Sequence, residues 1–322
     1  MKVFVIGLGS MGKRRIGILQ NYPVEIIGID NNPDRRDEAN KKCGITTTDS
    51  LNQCKINVGD CAVICTSPLS HNTIIHECLE KGLHVFSEIN LVSDGYKENI
   101  QLAKSKNLVL FLSSTFLYRS ETQYLINRVH QVETPINYIY HVGQYLPDWH
   151  PWESYNQFFV GNKKTNGCRE IFAIELPWII SCFGEIESLS VKKRNLSGLE
   201  LSYNDTYLVV IQHKNGTLGM FAVDVVSRSA VRRMEIYGEN IHLIWNGLPD
   251  SVFDYDFEQK AFQNIVLGEA EHKDGYASFV SENPYKEEIK EFFGCIKNTE
   301  KESRWSFEKD LEVLDVINKI EA

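Results

Sequence analysis

Lys2-Val3-Phe4-Val5-Ile6-Gly7-Leu8-Gly9-Ser10-Met11-Gly12 decides the fold. A short apolar run closes on a glycine, and a G-x-G-x-x-G spacing leads into residues whose Met11, Ile16 and Leu19 sit near helical spacing. The first glycine allows a tight turn, the second lets a pyrophosphate approach the backbone, and the third lets helix and strand pack closely. The helix start turns its free N–H groups towards the phosphates. Asp30 ends the next apolar run, Val24 to Ile29, and lies 18 residues beyond Gly12. A carboxylate there accepts hydrogen bonds from a ribose diol and repels a 2′-phosphate, which favours NAD over NADP. Arg35 and Arg36, just beyond, are the only argument for a 2′-phosphate. Lys13, Arg14 and Arg15 crowd the first helical turn, where cations oppose the helix dipole. Either phosphate attraction or a solvated helix face explains them.

Outward from this motif, apolar runs and helix-like stretches alternate. Cys61 to Cys65, Leu83 to Phe86 and Leu108 to Leu112 read as strands, with helices over 69–81 and 93–105 between them. Short, wholly apolar runs between helices are parallel strands buried on both faces. The expectation is an α/β fold whose residues 1–120 form a Rossmann domain with a doubly wound parallel sheet. After about residue 135 the pattern changes to an irregular stretch over 147–166, one helix over 168–183 and a succession of longer strands. Asn215-Gly216 between two of them is a hairpin signal. Residues 121–322 are therefore expected to form an α+β domain around an open, mostly antiparallel sheet. Its closing helices, near 284–297 and 306–320, are free to pack back on the first domain.

Composition narrows the class. The 322 residues are 43% hydrophobic and 24% charged, which excludes a disordered chain, and the length suits two domains. A net charge of −9 argues against a nucleic-acid partner. No apolar run reaches the roughly 18 residues of a membrane helix, and no secretory leader pattern is visible. None of the eight cysteines forms Cys-x-x-Cys, so a reduced, cytoplasmic protein without a metal is expected.

Several stretches together resemble one family. Cys65-Thr66-Ser67-Pro68-Leu69-Ser70-His71 is similar to a strand-end turn beside the nicotinamide ribose, and Gly82-Leu83-His84-Val85-Phe86-Ser87-Glu88 to the approach to an active site, in the glucose–fructose oxidoreductase/inositol dehydrogenase (Gfo/Idh/MocA) family. The resemblance implies hydride transfer between NAD(P) and a carbinol carbon of a sugar, cyclitol or nucleotide-sugar. It also implies cofactor contacts at Gly7, Gly9, Ser10, Met11, Gly12, Asp30, Thr66, Ser67, Pro68, His71 and Glu88. The chain departs from the pattern where chemistry is expected. The family's Glu-Lys-Pro is Glu88-Ile89-Asn90, and on the helix opening the second domain Glu170 keeps an acid while Ile174 stands where a histidine belongs.

Oxidising an alcohol needs a group that takes the hydroxyl proton at a useful pKa, and isoleucine cannot serve. His150, in the stretch Tyr145-Leu146-Pro147-Asp148-Trp149-His150-Pro151-Trp152, and Glu170 are the candidate acid–bases. Trp149 and Trp152 offer flat faces to a sugar ring or base, and Arg169 a clamp for a substrate carboxylate or phosphate. The same stretch also suits an aromatic plug, Arg169 a local ion pair, and Glu175 an alternative acid. Two functions follow: an NAD-dependent oxidoreductase with a rearranged catalytic set, including one whose substrate needs little acid–base help, or a cofactor-binding regulator that performs no chemistry. An open sheet leaves one face to cover, so a homodimer or homotetramer through the second domain is expected.

Overall fold

The alternating pattern at the start of the chain becomes a parallel sheet. In the computed structural model, which describes residues 1–149, 154–268, 281–298 and 301–322, the elements run β1 (Lys2–Ile6), α1 (Ser10–Leu19), β2 (Glu25–Ile29), α2 (Pro33–Cys43), β3 (Thr46–Thr48), β4 (Cys61–Ile64), α3 (Pro68–Glu80), β5 (His84–Ser87), α4 (Tyr96–Ser105) and β6 (Leu110–Leu112). The sheet order is β3-β2-β1-β4-β5-β6, so the winding reverses between β1 and β4. Nucleotides bind outside the strand ends at such a reversal. Local chemistry sets the boundaries. Asn32 caps α2 by accepting from Asp34 N–H and Arg35 N–H, Pro33 occupies its first turn, and Gly44 ends it in a left-handed conformation.

The chain continues through α5 (Ser120–Val129), β7 (Asn137–Gly143), α6 (Gly167–Phe183), β8 (Ile186–Arg194), β9 (Thr206–His213), β10 (Leu218–Asp224), β11 (Val231–Gly238), β12 (Ile241–Trp245), β13 (Val252–Asp256), β14 (Ala261–Asn264), α7 (Asn283–Lys297) and α8 (Phe307–Glu321). These strands form a second sheet in the order β14-β13-β12-β11-β7-β10-β9-β8. Every adjacent pair is antiparallel except β7 and β10, which run parallel at its centre. Asn215-Gly216 turns β9 into β10, with Gly216 at φ +88°.

Two units result: Met1–Thr115 with Tyr285–Leu314, and Phe116–Pro284 with Asp315–Ala322. In the first, Phe292 of α7 packs edge-on against Phe86 and Phe111, 5.6 and 5.7 Å between ring centres. Burying such a ring contributes roughly 2–3 kcal/mol. In the second, α6 covers one face of the sheet. Phe172 meets Phe221 and Trp178 meets Tyr140 edge-on. The other face keeps Ile139, Leu208, Val210, Leu218 and Met220 between 43% and 54% exposed. All eight cysteines are free thiols. Among the described residues no helix is long and apolar enough to cross a membrane.

Candidate functional site

The glycine loop is shaped by two close approaches and one opening. Gly7 adopts φ +95°, and a β-carbon on it would stand 2.7 Å from the Cys65 carbonyl oxygen. A β-carbon on Gly12 would stand 1.9 Å from the Gly7 carbonyl oxygen. On Gly9 it would meet nothing within 4 Å. Ser10 and Met11 then open α1, whose first N–H groups lack helical partners. The backbone thus makes a cradle that only a side chain at Gly9 would fill, which fits a dinucleotide pyrophosphate.

Asp30 follows β2 and is buried; its Oδ2 accepts Leu8 N–H at 2.8 Å and its Oδ1 accepts Asn32 N–H at 2.9 Å. Each oxygen keeps a lone pair for a ribose hydroxyl. The two arginines beyond it are not arrayed for a 2′-phosphate. Arg36 donates to the Asp30 carbonyl at 2.7 Å, and Arg35 Nη1 lies 3.8 Å from the Asp30 carboxylate.

The basic cluster departs from both expectations. Lys13 pairs with Glu38, and Arg14 is buried with its guanidinium over the Tyr285 ring at 4.5 Å. Arg15 is wholly buried, donating to Glu88 at 2.6 Å and to Glu288 at 2.7 Å. Burial opposes its charge, but the two carboxylates more than offset this and raise its pKa. Burial raises that of Glu288, against the pull of Arg15. Glu88 therefore holds Arg15, and Glu288 also accepts from Ser113 Oγ and Ser114 N–H at 2.8 Å each. A cation whose two carboxylates lie 73 and 273 positions further along the sequence leaves no periodic trace along α1.

At the end of β4, Ser67 and Pro68 begin α3 and the Thr66 hydroxyl accepts from Ser70. His71 is buried; its Nε2 lies 2.9 Å from the Thr66 carbonyl and its Nδ1 2.6 Å from the Asn90 amide. Burial lowers the His71 pKa despite these two bonds. His71 pins the turn rather than carrying a labile proton.

In the second unit, α6 starts at Gly167, where a β-carbon would come within 3.0 Å of Leu146, 3.1 Å of Val225 and 3.5 Å of Trp149. Trp149 donates its indole N–H to the Gln144 carbonyl. His150 and Trp152 lie outside the described residues. Glu170 sits in the first turn of α6. Its Oε2 is enclosed and has no hydrogen-bond partner among the described residues, and burial pushes its pKa up to about 7. Arg169 beside it is buried, with its guanidinium paired to Glu321 and bonded to Asn318 at 2.8 Å. It ties α6 to the end of α8. Glu175 is fully buried and accepts from Tyr140 at 2.6 Å, Trp178 at 2.7 Å and Arg232 at 2.7 Å. Such a satisfied carboxylate anchors the sheet to the helix. Ile174 has no proton to exchange. Among the described residues no cluster of metal-binding side chains occurs.

Residues 1–114 match the model of an oxidoreductase family described by its NAD-binding Rossmann fold. The first unit is thus an NAD-binding Rossmann domain. No curated protein matches the chain by sequence. Solved structures share the fold over nearly the whole length. UDP-N-acetylglucosamine 3-dehydrogenase GnnA from Acidithiobacillus ferrooxidans is 16% identical, with a TM-score of 0.76 over 100% of this chain and 96% of that one. GenD2 from gentamicin A biosynthesis, solved with NAD, is 15% identical, with a TM-score of 0.78 over 99% and 92%. Levoglucosan dehydrogenase, solved with NADH and L-sorbose, is 16% identical, with a TM-score of 0.79 over 99% and 95%.

Proposed function

We propose that this chain, whose residues 1–114 match the Gfo/Idh/MocA oxidoreductase family model, moves a hydride between NAD and a secondary alcohol or ketone carbon of a sugar, cyclitol or nucleotide-sugar. The observation that carries the reading is the pair of a cradle open only at Gly9 and an enclosed carboxyl, Glu170, poised at about pH 7. Bound NAD would supply the hydride acceptor. Gly7, Gly9, Gly12 and the α1 start (Ser10, Met11) would hold its pyrophosphate, Asp30 its adenosine ribose, and the Thr66–Pro68 turn, fixed by His71, its nicotinamide side. Glu170 takes the hydroxyl proton when the substrate is oxidised and returns it to the carbonyl oxygen on reduction. A group near the operating pH serves both directions. Trp149 offers an apolar face to the sugar.

NADH binding by fluorescence titration, followed by turnover on free sugars, cyclitols and nucleotide-sugars, tests this. Turnover that falls at least tenfold in Glu170→Gln, with NADH affinity unchanged, supports the assignment. NADH binding with no turnover on any of them would favour the second reading, a cofactor-binding regulator. Ile89 and Ile174 at the family's lysine and histidine positions favour that reading.

The exposed face of the second sheet meets a second copy of the chain. Met220 lies between Ile139 of β7 and Val210 of β9 in the sheet register, making a continuous apolar patch at the centre. A patch of this kind is self-complementary across a two-fold axis.

A further inference from the structure

We propose that Arg228, stacked on Tyr145, is an oxyanion clamp, so that the substrate of the oxidoreductase proposed above carries a phosphate or carboxylate group; this rests on that reading. Arg228 is exposed, its guanidinium carbon sits 3.8 Å from the centre of the Tyr145 ring, and among the described residues no carboxylate pairs with it. Arg15, Arg119, Arg128, Arg169, Arg232 and Arg304 hold acidic partners, whereas Arg228 has its guanidinium on an aromatic ring. A guanidinium lying on an aromatic face keeps its N–H edge outward, in the fork geometry that binds two oxygens of one phosphate or carboxylate.

The two residues are held for this by a built scaffold. Asp224, at the end of β10, is buried and accepts Val226 N–H at 2.9 Å and Ser227 N–H at 2.7 Å, which shapes the turn carrying Arg228. Its other oxygen accepts from His141 at 2.7 Å and from the Ser227 hydroxyl at 3.0 Å. Gly143 is required beside it, since a β-carbon there would come 2.4 Å from the Asp224 carboxylate. Gln144 N–H donates to the Asp224 carbonyl and Leu146 N–H to the Val225 carbonyl, at 3.3 and 3.0 Å, so the segment bearing Tyr145 is pinned to the strand end that leads to Arg228. Leu146 and Val225 also form the wall against which α6 begins at Gly167, one turn before Glu170. The clamp and the proposed acid–base thus belong to one edge of the second unit.

The test uses the whole protein with saturating NADH, so that nucleotides cannot occupy the cofactor cradle, and repeats each titration without NADH. Calorimetry follows UDP, UDP-N-acetylglucosamine and glucuronate, with methyl glucoside as the neutral control. Losing a charge-assisted bidentate bond weakens binding by roughly ten- to a hundredfold. Arg228→Gln is therefore expected to weaken the anionic probes by that factor and leave the neutral one unmoved, while Tyr145→Phe retains the clamp and Tyr145→Leu loosens it. A response to the UDP compounds alone assigns a diphosphate-bearing substrate, and a response to glucuronate alone a sugar acid. Unchanged anion affinity in Arg228→Gln, or no binding of any anionic probe, overturns the proposal. Failure of NADH to bind instead removes the oxidoreductase reading, with the Arg228 result still legible in the titrations without NADH.

Discussion

The Gly7 carbonyl oxygen lies where a β-carbon on Gly12 would be driven to 1.9 Å from it. Strand and helix touch here through backbone alone. Gly12→Ala forces β1 and α1 apart and is expected to remove about 3 kcal/mol or more of stability. Gly9→Val behaves differently, because among the described residues nothing beyond its own chain neighbours lies within 4 Å of the new β-carbon. Its Tm should stay within a few degrees of the parent, while NADH affinity falls at least tenfold because the side chain stands in the cradle. Thermal melts paired with NADH titrations separate the two. Equal NADH affinity in Gly9→Val would refute the cradle.

Arg15→Met leaves Glu88 and Glu288 facing each other without the cation between them. Removing one member of a buried ion cluster costs about 3–5 kcal/mol, and urea denaturation should register a loss of that size. Because Arg15 is fully buried, Arg15→Lys should lower stability while leaving NADH affinity within about twofold. A large fall in NADH affinity with stability intact would return Arg15 to the phosphates.

Glu170 gives the protein a pH dependence of definite sign. Its carboxyl is held protonated up to about pH 7 in the folded chain against an ordinary value of 4.5, so the folded state binds the proton more tightly. This contribution to stability is complete below pH 4.5 and is lost as pH rises towards 7, amounting to about 3 kcal/mol. Asp310, pushed up to about 6 by burial, adds a loss of the same sign over a lower range. In Glu170→Gln the fall in Tm between pH 5 and pH 8 should shrink, leaving the Asp310 part. An unchanged pH profile of Tm would place Glu170 in water. In turnover, reduction should slow and oxidation quicken as pH rises through about 7.

Met220→Glu puts a charge at the centre of the exposed apolar patch, between Ile139 and Val210. Light scattering should show the oligomer dissociating, with Tm of the monomer little changed, since Met220 is 54% exposed within one chain. A parent chain that is monomeric at high concentration would contradict the second-copy reading.

The nucleotide end was legible because each of its features is local. An all-apolar strand, three glycines and one acid at fixed spacing describe a βαβ unit without reference to the rest of the chain. The antiparallel sheet was legible from strand succession and Asn215-Gly216, but the parallel pairing of β7 with β10 was not, because nothing in either strand records which neighbour it meets. β3 and β14 leave no apolar pattern, being three threonines and four exposed residues. Arg14 and Arg15 read as a solvent or phosphate face because charge predicts exposure, and their burial depends on Tyr285 and Glu288 far along the chain. Arg228 leaves a fainter trace. Its turn is built by Asp224, four residues earlier, and the Asp-x-x-Ser-Arg order after a strand was the available signal.

The first unit takes in Tyr285–Leu314 as well as Met1–Thr115. On the ribosome, the strands and helices of the nucleotide half emerge long before Glu288 and Phe292, which complete their core. Until then Arg15 has one carboxylate instead of two, and Phe86 and Phe111 stand uncovered on that side. The half that is translated first is therefore sealed last. A nascent chain halted before Tyr285 would carry the glycine loop without Glu288 and Phe292 behind it.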